Sequence, residues 1–90
     1  MPLSPDAACA NIGRRIAELR ADRGLTQQQA ADRLGISARY VQNVEAGRVN
    51  LSVRALVEWA NLYRTPLASL VEPARTRTPR PGRPKRKRAG

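Results

Sequence analysis

The sequence has no histidine and no phenylalanine, and it contains a single cysteine, Cys9, among its 90 residues. One cysteine cannot form an intramolecular disulfide, and without histidine neither a zinc site nor a thiol–imidazole pair can be assembled. The chain also lacks a glycine-rich phosphate-binding loop and a pair of carboxylates at a plausible site, so an enzyme is the least favoured class. We therefore expect no catalytic residues, no metal and no cofactor.

Aromatic residues and long apolar runs are scarce as well. Trp59, Tyr40 and Tyr63 are the only aromatic residues, so a core has to be aliphatic, and 90 residues allow one small domain. Uncharged stretches fall far short of the roughly 18 residues of a membrane span, and the first residues lack the basic start and apolar run of a signal peptide. These absences predict a cytoplasmic bacterial protein that does not enter a membrane.

Acidic residues are missing from the C-terminal part of the chain. Residues 1–73 contain nine arginines and seven acidic residues, whereas residues 74–90 contain eight basic residues and no acidic one. The net charge of +10 therefore comes mostly from the end of the sequence. This distribution predicts a nearly neutral domain over 1–73 and a disordered Arg/Lys/Pro-rich tail over 74–90. Such a tail binds a polyanion, either nucleic acid or an anionic membrane surface.

Capping residues and glycines divide residues 1–73 into five predicted helices. Ser and Thr side chains accept hydrogen bonds from first-turn amides, and glycine takes the left-handed conformation that ends a helix. Because Gly13 weakens the first helix, its start lies either at Pro5 or nearer Cys9. The predicted caps are Ser4, Thr26 (with Gln29 in a capping box), Ser37, Ser52 and Thr65, and the terminating glycines are Gly24, Gly35 and Gly47.

Apolar residues at helical spacing mark the predicted buried faces of the first and fourth helices. Arg14, Arg15 and Glu18 lie mostly off the apolar face of the first helix. The pattern predicts an all-α fold with an aliphatic core. The predicted inward residues are Cys9, Ile12, Ile16 and Leu19 on the first helix, and Val53, Leu56, Trp59, Ala60 and Tyr63 on the fourth.

Residues 27–46 carry small or apolar side chains where two short helices would cross, with Gly35 in the turn between them. These residues are Ala30, Ala31, Leu34, Ile36, Val41 and Val44. With the flanking patterns IGRRIAELRADRGLTQ, SVRALVEWANLY and TPLASLV, the chain resembles the Cro/phage-repressor-type helix-turn-helix DNA-binding family over roughly residues 10–72. The resemblance implies a compact five-helix, lambda-repressor-like domain with its helix-turn-helix at 27–46.

The resemblance also implies which side chains meet double-stranded DNA. The second helix of the motif enters the major groove with its N-terminal half, and the first helix crosses the backbone. Arg39 is the expected main specificity residue because it can donate two hydrogen bonds to guanine, while Asn43 suits adenine and Ala38 a thymine methyl group. The implied base contacts are Ser37, Ala38, Arg39, Gln42 and Asn43, and the implied phosphate contacts are Gln27, Tyr40, Arg48 and Asn50. Tyr40 either lies against the sugar-phosphate or packs on a neighbouring side chain.

Two further roles follow from the same resemblance. Arg20 and Glu45 match a pair that forms an internal salt bridge in family members, so we assign them a structural role. Members of the family usually dimerise through the fourth and fifth helices. The implied homodimer contacts are Val57, Leu67 and Leu70, and Trp59 belongs to the core or to the same interface.

The basic tail resembles an AT-hook, a motif that lays a Gly-Arg-Pro core into the narrow minor groove of A·T-rich DNA. Gly82-Arg83-Pro84 matches the core, but Pro81 stands where the pattern has a second arginine. Non-specific phosphate binding is therefore the simpler interpretation of the tail. The predicted tail contacts are Arg80, Arg83, Lys85, Arg86, Lys87 and Arg88.

Together these features predict a sequence-specific, nucleoid-associated transcriptional regulator. It is expected to act as a repressor that binds a palindromic operator as a homodimer. One alternative is an antitoxin or a restriction-modification controller component that acts with a protein partner. Another is an architectural DNA-binding protein dominated by its basic tail, which would show a low specificity ratio over random DNA.

Overall fold

Five α-helices form the part of the chain that the structure, a computed structural model, describes, residues 3–75. They are α1 (Pro5–Asp22), α2 (Gln27–Leu34), α3 (Ala38–Glu45), α4 (Val53–Leu62) and α5 (Leu67–Val71). The predicted all-α, five-helix fold is confirmed over this range, which contains no β-strand. None of these helices is long and apolar enough to cross a membrane.

The first four helices begin at the predicted side-chain caps. The Ser4 hydroxyl accepts a hydrogen bond from the Ala7 amide at 3.0 Å, and Thr26 and Gln29 form the predicted capping box. α1 begins at Pro5, so the alternative start near Cys9 is wrong: Ser4 and a proline in the first turn fix the helix start before Gly13 is reached.

The prediction for the start of α5 is wrong in detail. Pro66, not Thr65, occupies the position before the helix, and no side chain caps it. The backbone nitrogen of a proline carries no hydrogen. The start of α5 therefore has one fewer unpaired N–H group for a cap to satisfy. α5 is therefore held by the burial of its own side chains, above all Leu70.

A small core joins all five helices, and in it aliphatic side chains pack around two aromatic ones, Tyr63 and Trp59. Two predictions about it are corrected by the structure. Val53 is 69% exposed because it lies in the first turn of α4, beyond the edge of the core. Leu70 is fully buried, so it belongs to the core and offers no surface to a second copy. The buried apolar residues are Ile16, Leu19, Ala30, Ala31, Val41, Val44, Trp59, Ala60, Tyr63 and Leu70.

α1 and α3 approach each other closely at Gly13. A Cβ atom on this glycine would lie 2.5 Å from the carbonyl oxygen of Val44 and 2.7 Å from that of Glu45. Carbon and oxygen atoms do not approach so closely without displacing the backbone. The absence of a side chain at Gly13 is therefore what allows α1 to pack directly on the last turn of α3.

The polar side of α1 is buried, contrary to the sequence pattern. Arg15 and Glu18 are each only 7% exposed, and their side chains are joined by a 2.9 Å ion pair. Arg15 also donates a 2.7 Å hydrogen bond to the carbonyl oxygen of Ser69. A second nitrogen of its guanidinium lies 3.5 Å from the Glu72 carboxylate. The sequence analysis predicted that α1 packs against the domain through its apolar side alone. α5 and the residues after it return along the polar side and cover that as well.

Tyr63 is fully buried, and its hydroxyl has no well-formed hydrogen bond. Burial raises the pKa of this hydroxyl to about 12, and the adjacent Trp59 indole offsets part of the rise. An unfolded tyrosine ionises near pH 10, so this group favours the folded state below pH 10 and the benefit is lost as the pH rises to about 12. We expect the free energy of unfolding to fall across this window, by up to about 1.4 kcal/mol per pH unit.

The matching prediction concerns Tyr63→Phe. The substitution removes a buried, poorly paired hydroxyl, so we expect stability at pH 7 to stay equal or rise by up to about 1 kcal/mol. The fall between pH 10 and 12 should become shallower. Urea denaturation at several pH values measures both effects. An equally steep fall in Tyr63→Phe would assign it to another group.

Candidate nucleic-acid interface

α3 divides into an inner face and an outer face. Val41 and Val44 point into the core, where they meet α1 and α2. Arg39, Gln42 and Asn43 follow the spacing i, i+3, i+4 and therefore share the opposite face. Arg39 and Gln42 are exposed and Asn43 is half-buried. The structure thus brings three of the five predicted base-contacting residues together on one side of a helix that is anchored on its other side.

The other two predicted base contacts lie at the beginning of α3. The Ser37 hydroxyl accepts a 3.0 Å hydrogen bond from the Tyr40 amide, so it caps the helix. Ala38 is half-buried and packs against the core. Both residues hold the N-terminal turn of α3 in place, and their contact with bases stays a prediction.

Tyr40 turns away from the face formed by Arg39, Gln42 and Asn43. Its ring centroid lies 6.5 Å from that of Trp59, with the planes tilted by 31°. Of the two alternatives for Tyr40, packing on a neighbouring side chain is the one that the structure contains. Tyr40 as a whole remains 38% exposed, so its predicted phosphate contact stays a prediction.

Glu45 connects three elements at the end of α3. Its carboxylate accepts two hydrogen bonds from Arg20 of α1, at 2.7 and 3.0 Å, which is the internal salt bridge implied by the resemblance. It accepts a third from the Gln27 side chain at 2.9 Å. The hydrogen bond with Glu45 raises the pKa of the Arg20 guanidinium. Gln27 is therefore fixed at the first residue of α2, where free backbone amides attract anions.

Glu45→Gln tests this network. The substitution leaves the Arg20 guanidinium largely buried without its counter-charge, so we expect a loss of about 2 kcal/mol in the free energy of unfolding. Chemical denaturation measures the loss. Glu58→Gln is the matched control, since Glu58 is exposed on α4 and its substitution should change stability by less than about 0.5 kcal/mol. If the two variants lost similar amounts of unfolding free energy, the Arg20–Glu45 pair would add little to the stability of the domain.

The loop after α3 carries the remaining predicted phosphate contacts. Arg48 and Asn50 are both exposed. Arg48 donates a long hydrogen bond, 3.4 Å, to the side-chain oxygen of Asn43. The loop therefore places a cation beside the outer face of α3 and restrains one residue of that face.

Other parts of the surface offer less specific chemistry. Residues 3–75 contain no group of three or more His, Cys, Asp or Glu side chains that could hold a metal ion.

Two open grooves lie on the surface. One, of about 470 Å³, lies between the α2–α3 turn and α4, beside Trp59. The other, of about 330 Å³, lies between α1 and the loop after α3, beside Cys9. The predicted tail contacts, Arg80 to Arg88, and the AT-hook-like core lie outside the described residues.

Sequence reasoning missed the contribution of Gly13 to this interface. It treated the glycine as a weak point of α1, whereas the structure uses it to seat α3. A glycine inside an otherwise regular helix is the signal that could have indicated a close approach. Asn11 and Arg15 were also missed as structural residues, and nothing in the spacing of α1 marks them.

Two short helices crossing through small residues, the second with a polar face directed outward, define a helix-turn-helix domain. The chain belongs to the helix-turn-helix domain family, whose sequence profile matches residues 11–73. A relative described as an uncharacterized HTH-type transcriptional regulator, y4dJ of Sinorhizobium fredii, is 37% identical over 62 residues, which are 69% of this chain and 80% of the relative. The predicted class, a helix-turn-helix transcriptional regulator, is confirmed.

Solved structures agree with this assignment. The restriction-modification controller protein C.AhdI from Aeromonas hydrophila is 29% identical, with a TM-score of 0.70, and the alignment covers 76% of this chain and 99% of C.AhdI. The clp gene regulator ClgR from Corynebacterium glutamicum is 25% identical, with a TM-score of 0.67, over 77% of this chain and 69% of ClgR. The resemblance to Cro/repressor-type domains is thereby confirmed.

Proposed function

We propose that this protein is a sequence-specific repressor that inserts α3 into the major groove of a palindromic operator. The observation that carries the proposal is the outer face of α3, where Arg39, Gln42 and Asn43 stand together on a helix whose inner face is fully buried. Arginine and asparagine are the side chains best suited to read guanine and adenine. A regulator of this kind acts in the cytoplasm, on the nucleoid.

Phosphate contacts on both sides of α3 would fix the orientation of the domain. On one side lies the N-terminus of α2 with Gln27, whose side chain is held by Glu45. On the other side lie Arg48 and Asn50. Contacts to phosphates position a protein on DNA, and contacts to base edges select the sequence.

A second copy is part of the proposal, because one recognition helix reads only a few base pairs. Val57 and Leu67, two of the predicted dimer contacts, are 39% and 40% exposed, and the neighbouring Val71 is 56% exposed. An exposed apolar patch on α4 and α5 is what a homodimer contact needs. Two subunits joined there would read half-sites about one helical turn apart.

Selection from a randomised duplex library at physiological salt tests the proposal. The full chain should enrich a palindrome with half-sites about 10 base pairs apart. Light scattering should show a dimer that Val57→Glu weakens, with Ala21→Glu, at an exposed position of α1, as the control that adds the same charge away from α4 and α5. Enrichment of A·T-rich sequence without a palindrome would instead support the architectural alternative. No enrichment would contradict DNA reading by α3.

The contribution of the tail is tested by salt dependence. If about four tail charges meet phosphates, the slope of log K against log salt should be steeper by roughly three to four units for the full chain than for a truncation. The truncation should keep residues 1–75, because the Ala74 amide and the Arg75 side chain bond to α1. Equal slopes would show that the tail adds no phosphate contacts.

The similarity to C.AhdI favours a second, more specific candidate, a controller of restriction-modification genes. In that case the enriched palindrome should occur in the promoter of adjacent restriction and modification genes. A reporter driven by that promoter should respond to the protein. An enriched site that lies only at unrelated promoters would exclude this candidate and leave the general proposal intact.

A further inference from the structure

Two hydrogen bonds from Arg48 hold Asn43, a residue of the outer face of α3. The backbone amide of Arg48 donates to the Asn43 carbonyl oxygen at 3.0 Å, and its Nη1 atom donates to the Asn43 side-chain oxygen at 3.4 Å. Asn43 is half-buried and Arg48 is exposed. The loop after α3 therefore holds both the backbone and the side chain of a residue that is expected to meet a base.

The starting point of the Arg48 side chain is fixed by the way in which α3 ends. The Gly47 amide bonds to the Val44 carbonyl oxygen at 3.0 Å, and together with the backbone bond between Arg48 and Asn43 this forms a Schellman motif. A Cβ atom on Gly47 would lie 2.8 Å from the Cα atom of Ala10. Because this turn packs so closely against α1, Arg48 leaves the domain from a defined position beside α3.

The chemistry of arginine determines which half of the Asn43 amide faces the loop. A guanidinium carries only N–H donors, so it can bond to the amide oxygen and not to the NH2 group. The NH2 group of Asn43 is therefore turned away from Arg48. Within residues 3–75 the Asn43 side chain makes no other hydrogen bond, so Arg48 alone favours this orientation over the one rotated by 180°.

The orientation of this amide decides what Asn43 can recognise. Rotation of the amide by 180° exchanges a hydrogen-bond donor for an acceptor, and the base edges in the major groove differ in their pattern of donors and acceptors. A freely rotating amide would accept several bases, whereas a fixed amide discriminates among them. The other N–H groups of the Arg48 guanidinium remain available for a phosphate group.

We infer that Arg48 is a positioning residue that acts through Asn43 and thereby takes part in base selection. Arg48 keeps the phosphate contact proposed for it and uses one further donor to fix the Asn43 amide. This inference rests on the proposed function. It deepens that function by adding a residue outside α3 to those that determine the operator sequence.

One test needs no DNA. In the full chain, nitrogen relaxation measured by NMR should give the side-chain NH2 group of Asn43 a higher order parameter than that of Asn50, which is exposed and makes no hydrogen bond within residues 3–75. Arg48→Ala should lower the Asn43 value toward that of Asn50. This variant keeps the backbone amide that bonds to Asn43, so the end of α3 stays in place. An Asn43 value that the substitution leaves unchanged would overturn the inference, whatever the protein binds.

A second test separates base selection from phosphate binding. The selection from randomised duplexes is repeated with the unchanged chain, Asn43→Ala, Arg48→Ala and the double variant. The profile of Asn43→Ala identifies the base pair that Asn43 reads. Arg48→Ala should weaken the preference at that same base pair by about fivefold or more, in addition to a uniform loss of affinity from its phosphate contact. In the Asn43→Ala background, Arg48→Ala should add only the uniform loss.

Asn50→Ala is the matched control, because it removes a predicted phosphate contact from the same loop without touching Asn43. It should lower the affinity for all sequences equally and leave the base preferences unchanged. If Arg48→Ala behaved in the same way, Arg48 would be a phosphate contact alone, and the inference would be overturned with the proposed function intact.

Two further outcomes also separate the inference from the proposed function. If Asn43→Ala left every base preference unchanged, Asn43 would read no base and the inference would fail, while Arg39 could still carry the proposed function. If the unchanged chain enriched no palindrome, the proposed function itself would be contradicted. The order parameter of Asn43 would then still decide whether Arg48 holds its amide.

Discussion

Gly13→Ala is expected to lower the melting temperature by about 8–16 °C. Helix propensity alone predicts the opposite, since alanine is favoured over glycine in a helix by about 1 kcal/mol. At this position, however, the new Cβ would meet the Val44 and Glu45 carbonyl oxygens, which belong to the backbone of α3 and cannot rotate away. Overpacking of this kind costs about 3 kcal/mol, so the net loss should be about 2 kcal/mol. Thermal and urea denaturation measure it.

Gly24→Ala is the matched control for this prediction. Gly24 has a φ of +69°, but no atom lies within 4 Å of the position of its missing Cβ. Its substitution adds backbone strain of about 1 kcal/mol without a clash. Gly13→Ala should therefore be the more damaging of the two. A gain in stability at Gly13 would show that α1 and α3 are further apart than described.

Arg39→Ala should weaken binding to the selected palindrome by about 1–3 kcal/mol per half-site, or roughly 5- to 150-fold. The reason is the loss of a side chain that can donate two hydrogen bonds to one guanine from the exposed face of α3. Binding to random DNA should fall much less, because that binding depends on phosphate contacts. Fluorescence anisotropy with both duplexes gives the specificity ratio directly.

Two variants make the Arg39 result interpretable. Arg33→Ala removes the same charge from the exposed end of α2, beside Asn61 and Leu62, and should leave the specificity ratio unchanged. Arg39→Lys keeps the charge but loses the forked geometry, so it should relax the preference at one base pair while retaining affinity for random DNA. If Arg33→Ala and Arg39→Ala lowered the specificity ratio equally, Arg39 would act only as a general electrostatic contact.

The helix order and the helix-turn-helix could be predicted because their signals are local. Ser4, Ser37 and Ser52 each cap the helix that directly follows, and the Thr26–Gln29 box acts over three residues. The shared outer face of Arg39, Gln42 and Asn43 also follows from spacing alone once α3 is placed. For these features the sequence pattern and the structure depend on the same short-range geometry.

The features that escaped prediction depend on contacts between distant residues. Arg15 and Glu18 look solvent-facing within α1, and they are buried by residues 54 or more positions away that return along the helix. Val53 fits the apolar spacing of α4, yet no neighbouring element reaches its position at the helix start. Gly13 has its role only because α3 crosses there. Periodicity reports which residues share a face but not what covers that face.

The division of α3 into an inner and an outer face has an evolutionary consequence. Val41 and Val44 hold the helix in the core and Ser37 caps it, whereas Arg39, Gln42 and Asn43 share none of these duties. The outer residues can therefore change with little effect on folding, because surface substitutions usually alter stability by less than about 0.5 kcal/mol. Duplicated copies of such a chain could diverge toward new operators through very few codons, and an engineer could exploit the same freedom to redirect the protein to a chosen site.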